Sequence, residues 1–257
     1  MTRHIDFEGI ENFRDFGGYA TACGRGVPHG RLYRSGAHHM ATDADLERLA
    51  GLGVEAIVDL RQPHERARDP SRRWPGFAAR VIENDLVSEH PDWLVKLQAC
   101  DLSPEWFFED TRAFYRNAPL EPRHIQLFAH YFHALAEAQG PVLVHCAAGK
   151  DRTGMLCALT HHITGVHPDD AMADYLLTND EARIERKIAS LIPYFAEHLA
   201  RPVTYAATRM ACSVHPAYLE AAFEVMAEHH GSIDGYLEQA LGVDGALRER
   251  IRDRVLA

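Results

Sequence analysis

The segment that most constrains this chain runs from Pro141 to Gly165, where a short apolar, β-prone run, Pro141 to Val144, gives way to HCAAGKDRTG (His145–Gly154). Met155, Leu156, Leu159 and Ile163 then recur at helical spacing until Gly165 ends the helix. A strand, a tight loop and a helix N-terminus therefore follow one another directly. The first turn of a helix leaves backbone N–H groups unpaired and carries partial positive charge, so a loop entering it favours an anion. Five residues separate Cys146 from Arg152. That length lets the backbone curl round a tetrahedral dianion while the guanidinium closes the ring with a planar, two-pronged contact. The same field favours a thiolate at Cys146, the form that acts as a nucleophile. The competing reading is a buried, inert cysteine; the accompanying glycine, arginine and threonine argue against it.

HCAAGKDRTG resembles the signature loop of Cys-dependent protein tyrosine phosphatases. Its Lys-Asp pair before the arginine is similar to that of the bacterial branch with broad, dual or lipid-type specificity. Other segments resemble the same branch: NFRDFGGY (Asn12–Tyr19), LYRSG (Leu32–Gly36), VDLR (Val58–Arg61) followed by Glu65, ADYLLTN (Ala173–Asn179), and the tail from His215 to Leu237. The resemblance spans most of the chain.

The resemblance implies a two-step phosphatase mechanism without metal or other cofactor. Cys146 attacks phosphorus, an acid protonates the leaving oxygen, and water hydrolyses the cysteinyl-phosphate. It implies that the loop Ala147, Ala148, Gly149, Lys150, Asp151 and Arg152 binds the phosphate, with Arg152 and the amides from Ala147 onward stabilising the equatorial oxygens. Thr153 would donate its hydroxyl to the departing thiolate; otherwise it is an ordinary first-turn residue. Candidates for the acid are Asp151 in the loop and Asp59 at the end of a buried strand, ranked equal, with Asp85 third. The Trp-Pro-Asp run of many phosphatases is absent, and Asp92-Trp93 in HPDW reads as a surface turn. In the resembling branch the cation at Lys150 widens substrates toward extra negative charge; the alternative is a solvated loop cation. Arg61 and Glu65 are read as either a brace for the loop or a surface ion pair. Asn12, Arg14 and Asp15 are expected to pack an N-terminal loop near the site.

Composition bounds the function without producing it. A net charge of −10 argues against a nucleic-acid groove. There is no apolar run long enough to span a bilayer and no charged-then-apolar leader. A cytoplasmic location is the default, and a leaderless exported protein has the same sequence features. Five cysteines without short paired spacing are no disulfide framework, and Cys157, one turn into the helix, is assigned to the core rather than to a resolving thiol. The 17 histidines include three doublets whose members face different sides of a helix, so no metal site is expected.

Along the chain, strands are expected near 31–34, at 54–60, 80–86 and 142–145, with a helix over 43–50 capped by Thr42 and Asp45. Residues 92–139 read as helical, with their aromatic residues packed on the sheet. After Pro168 the chain reads as all helical, with an amphipathic helix over 181–199 kinked at Pro193, an irregular connector over 201–215, and helices over 216–230, 233–241 and 245–256. The long helix is a lid, a core helix or a dimer surface. The fold class is α/β, a mainly parallel sheet flanked by helices, in one catalytic domain over 1–257 with a helical lid or extension from about 180. The expected partner is a phosphorylated protein, lipid or small molecule. The oligomeric state is left open. The alternatives are a sulfurtransferase or arsenate-reductase-like enzyme and a non-catalytic phosphate-binding module.

Overall fold

An all-apolar strand such as Val142–Val144 persists only where both of its faces are covered. In the computed structural model, which describes residues 3–88 and 93–257, it is the central strand of a sheet. The chain begins with β1 (Arg14–Asp15), β2 (Tyr19–Ala20), β3 (Gly26–Val27) and β4 (Leu32–Ser35), followed by α1 (Asp43–Gly51), β5 (Ala56–Asp59), α2 (Pro63–Arg68) and β6 (Arg80–Ile82). Helices α3 (Trp93–Ala99), α4 (Pro104–Asn117) and α5 (Pro122–Glu137) lead to β7 (Val142–His145). The remainder is helical: α6 (Asp151–Thr164), α7 (Pro168–Leu176), α8 (Glu181–His198), α9 (Tyr205–Cys212), α10 (Pro216–His230), α11 (Ile233–Gln239) and α12 (Gly245–Val255).

The five-stranded sheet has the order β1-β4-β7-β5-β6, with β4, β7, β5 and β6 parallel and β1 antiparallel at one edge. Side chains alternate across it. Val142, Val144, Ala56 and Val58 face a large core built with α5, α6, α10 and α12, while Leu143 and Ile57 face a smaller one under α1. Burying a single Val, Leu or Ile contributes about 1.5–3 kcal/mol, so the two faces together fix which strand lies at the centre. The mainly parallel α/β architecture is therefore as expected. Thr42 caps α1 in a reciprocal box with Asp45. β6 is shorter than the sequence suggests because β5 ends at Asp59 and Ile82 has the last partner, Val58.

One helical expectation changes. The stretch 201–215 is not irregular throughout: α9 forms there, with Thr204 accepting the Ala207 amide at 3.2 Å. Its buried face, Ala207, Thr208 and Cys212, packs with α8 and α4. Pro193 lies inside α8 without ending it. An internal proline costs about 3 kcal/mol or more, which the burial of Phe195 and Leu199 beyond it offsets at about 1.5–3 kcal/mol each. Helices α10 and α12 belong to the same core as the sheet, whereas α8 and α9 bury their apolar residues in two separate small cores, one shared with α3 and α4 and one between themselves. No helix of the described residues is long and apolar enough to cross a membrane.

A buried ion triad ties the sheet to α7. Arg34 on β4 donates to Asp174 Oδ2 at 3.2 Å, and Arg14 Nε on β1 lies 3.7 Å from Asp174 Oδ1. All three side chains are sealed from solvent. Removing one partner of such a group leaves buried charge uncompensated. Asp174→Ala is expected to lower stability by about 3–5 kcal/mol, read as the free energy of urea unfolding; a loss no larger than that of a surface substitution would show that the triad is not essential to the fold.

Candidate active site

Ser35, His145 and Asp59 lie side by side at the carboxyl ends of β4, β7 and β5, the edge where open parallel sheets take ligands. From β7 the chain turns through residues 146–150 into α6. The turn is made by carbonyl groups pulled outward. The Ala37 amide donates to the Ala147 carbonyl at 2.9 Å, while Asn12 Nδ2 and Arg34 Nη2 donate to the Gly149 carbonyl at 2.7 and 2.9 Å. Gly149 sits at φ +63°, and a Cβ there would lie 2.4 Å from the Ser35 backbone, so glycine is required on both counts. With the carbonyls occupied from outside, none of the amides of residues 147–152 donates to a protein acceptor among the described residues. Consecutive free amides in such a turn, at a helix N-terminus, form an anion nest.

Arg152 closes this nest. Its Nη1 donates to Glu65 Oε2 at 2.6 Å and to the Leu60 carbonyl at 3.1 Å, and its Nη2 donates to Glu65 Oε1 at 2.9 Å. Of the five guanidinium donors, Nε–H and one Nη2–H, adjacent on one edge, have no partner among the described residues. Burial alone would raise Glu65, but Arg152 outweighs it and holds the carboxyl at about 2. The ion pair likewise holds Arg152 above its ordinary value against burial. Cys146 is 2 % exposed. Thr153, the residue after the arginine, is fully buried with Oγ1 lacking a hydrogen-bond partner.

The carboxylates proposed from sequence occupy different environments. Asp59 is buried and accepts from the Arg61 amide, Nε and Nη2 at 3.0, 2.9 and 2.7 Å. Burial opposes its ionisation, but His145 and the hydrogen-bonded Arg61 guanidinium prevail and hold the carboxyl well below the usual range. His145 itself is lowered to about 4 by burial and stacks on His38 at 4.5 Å. Asp151, at the start of α6, keeps a quarter-exposed side chain; its Oδ1 accepts from the Tyr115 hydroxyl at 3.1 Å, and its Oδ2 lies 3.6 Å from Lys150 Nζ. The Asp85 side chain is 92 % exposed and pairs with Arg66. Asp92 lies outside the described residues.

The structure decides between the alternatives that sequence leaves open at Lys150 and at Arg61 and Glu65. Lys150 is not a solvated cation: it is buried, and its ammonium donates to the Ala211 and Ser213 carbonyls at 2.6 and 3.2 Å, at the end of α9. Arg61 and Glu65 do not pair with each other; each holds another member of the site, Asp59 and Arg152. Asn12 reaches the loop directly and Arg14 braces Asn12 Oδ1 at 2.5 Å, whereas Asp15 instead holds the amides of Gly17 and Gly30. Cys157 is in the core, its thiol pushed up to about 12 by burial. Among the described residues no three His, Cys, Asp or Glu side chains converge as a metal set.

Sequence reasoning did not find Tyr115, Tyr175, Arg34 or Asp174. Three of them lie inside the segments LYRSG and ADYLLTN, so a signal existed but carried no role. Tyr115 had none beyond membership of an aromatic helix.

The profile of the tyrosine phosphatase family matches residues 5–257. A Cupriavidus necator protein classed with the tyrosine-protein phosphatases is 35 % identical over 248 residues, covering 95 % of this chain and 86 % of that protein. The triple specificity protein phosphatase PtpB of Mycobacterium tuberculosis is 31 % identical over 277 residues, covering 98 % of each. The crystal structure of P. aeruginosa TpbA aligns with 57 % of this chain and 68 % of its own at 22 % identity, with a TM-score of 0.30.

Two outcomes follow from the geometry. Glu65 is depressed from 4.5 to about 2 on folding, so its stabilisation is complete above about pH 4.5 and is lost as pH falls through about 2. Glu65→Gln is expected to flatten the stability–pH curve in that window, measured by circular dichroism, and an unchanged slope would count against the pair. Lys150→Ala is expected to speed amide exchange in α9 while leaving α10 protected, read by hydrogen-exchange mass spectrometry; unchanged exchange in α9 would show that the lysine does not hold it.

Proposed function

The chain belongs to the tyrosine phosphatase family, and from that premise we propose that it hydrolyses phosphate monoesters through a cysteinyl-phosphate at Cys146. The observation that carries the proposal is the nest of free amides at residues 147–152, closed by an arginine whose Nε and outer Nη2 donors remain after Glu65 is bound. Six backbone donors and a two-donor guanidinium edge suit the three equatorial oxygens of a phosphoryl group and stabilise the charge that develops on them.

In the first step the Cys146 thiolate forms an S–P bond as the P–O bond to the leaving group breaks, and the leaving oxygen takes a proton from Asp151. In the second, Asp151 accepts a proton from water, whose oxygen attacks phosphorus. The S–P bond breaks and the thiolate re-forms, with the unpartnered Thr153 hydroxyl available to donate to it. Asp151 is favoured over Asp59 because a general acid must gain and lose a proton near working pH, and the Arg61 pair holds Asp59 ionised. Asp85 is turned to solvent.

We assign the chain to one catalytic unit in which α8 and α9, fastened to the loop through Lys150, act as the lid; α10 to α12 are part of the core beneath. Two Lys150 donors are occupied by the Ala211 and Ser213 carbonyls at the end of α9, and the ammonium also lies 3.6 Å from Asp151, so an extra phosphate on a substrate has to compete for this cation. Substrates in this reading are phosphotyrosine first, with phosphoserine, phosphothreonine and phosphoinositides extending from the breadth that the name triple specificity gives PtpB.

The test is turnover of para-nitrophenyl phosphate beside thiosulfate and arsenate, followed by a panel of phosphopeptides and phosphoinositides. Cys146→Ser is expected to abolish phosphate release while still binding phosphate, and Arg152→Ala to lose both. Activity on thiosulfate or arsenate with none on the phosphate ester would replace the reading with the sulfur or arsenate alternative, and phosphate binding with no turnover of any ester would leave a binding module.

A further inference from the structure

Beside the loop, two tyrosines from separate helices meet with no part in the chemistry above. Tyr115 on α4 and Tyr175 on α7 are both buried, their hydroxyl oxygens 2.8 Å apart, and the Tyr115 hydroxyl donates to Asp151 Oδ1 at 3.1 Å. Each hydroxyl has one proton. If that of Tyr115 goes to Asp151, the proton between the tyrosines must come from Tyr175, so the chain has one direction, Tyr175 to Tyr115 to Asp151. Burial, reinforced by the nearby Asp151 charge, pushes both phenols well above their ordinary range, which keeps them donors at any working pH. Both rings are fixed. The Tyr175 ring lies 2.9 Å from where a Cβ on Gly154 would stand, and Tyr115 packs 5.6 Å from Tyr218.

We infer that Tyr115, backed by Tyr175, is a positioning residue that fixes the Asp151 carboxyl by occupying Oδ1, so that Oδ2 is the oxygen that gives and takes the catalytic proton. The inference rests on the reading of Asp151 as the general acid. Without the Tyr115 donor, Oδ1 has no partner among the described residues, and the first-turn carboxyl is restrained only by the Lys150 ammonium 3.6 Å from Oδ2. Proton transfer demands a fixed donor within hydrogen-bond reach, so the cost falls on the step that needs the proton. A loosely held carboxyl still serves a leaving group that departs without help.

The experiment compares phenyl phosphate, whose leaving group needs protonation, with para-nitrophenyl phosphate, whose leaving group needs little, in the full-length chain. General acid catalysis contributes about 10²–10⁴-fold. Tyr115→Phe is expected to forfeit about tenfold of this in kcat on phenyl phosphate, with less than about twofold change on para-nitrophenyl phosphate and unchanged KM on both. Tyr115→Phe should add no further loss in an Asp151→Asn background. Equal losses on the two esters, or a loss that multiplies with that of Asp151→Asn, would overturn the inference and return the tyrosines to core packing. Tyr175→Phe keeps the Asp151 contact and removes only the backing donor, so the same selective pattern is expected at about two- to threefold. This second variant decides between the two roles if Tyr115→Phe fails to fold, equal loss on both esters again counting against the inference. The failure of the underlying reading is distinct: Asp151→Asn itself would then lose no more on phenyl phosphate than on para-nitrophenyl phosphate.

Discussion

The site depends on one carbonyl oxygen, that of Gly149, held by Asn12 and Arg34. Drawing it outward leaves the amides of residues 147–152 without protein acceptors and so creates the nest. Only glycine fits this φ and this clearance. Arg34 can serve because Asp174 compensates its charge in the interior, and Asp174 is shared with Arg14. Two guanidinium groups on one carboxylate leave an excess of positive charge buried under a loop proposed to receive a dianion. A phosphate there would meet this field with little solvent between, a local field opposite in sign to the net charge of −10.

Charge is divided just as sharply above the loop. Asp59 and Asp151 are the same residue type close to the same sheet edge, yet one lies in the Arg61 fork and the other receives a single phenol hydrogen bond with part of its carboxyl open to solvent. Glu65 acts through Arg152: it engages one edge of the guanidinium and leaves the other, so that the cation enters the site already aimed.

Strand and helix identities were legible wherever local chemistry decided them. The capping box at Thr42, the αL glycine at Gly165 and the apolar run of β7 act over a few residues, and each is where sequence puts it. α9 was not legible as a helix because its short apolar face gains its stability from α4 and α8, which are remote in sequence. The length of β6 was set by its neighbour β5. Among the site residues, Cys146 and Arg152 could be named from spacing, but Lys150 could not be seen to lie on the end of α9 because Ala211 and Ser213 are some 60 residues downstream. Arg61 and Glu65 are close in sequence and were natural partners on paper; Arg61 instead pairs with Asp59 at the end of its own strand, and the segment arriving from β7 supplies Glu65 with Arg152.

By itself, then, the sequence determined the strand, loop and helix that carry a cysteine and an arginine to a helix N-terminus, because φ preferences, capping and hydrophobic periodicity act locally. What only the tertiary structure decided is which charges meet: Arg152 with Glu65, Asp59 with Arg61, Asp151 with Tyr115, and Lys150 with the end of α9. Electrostatic and hydrogen-bonded pairing works over a few ångströms through space without regard to separation along the chain, so roles that depend on it follow from packing and not from order.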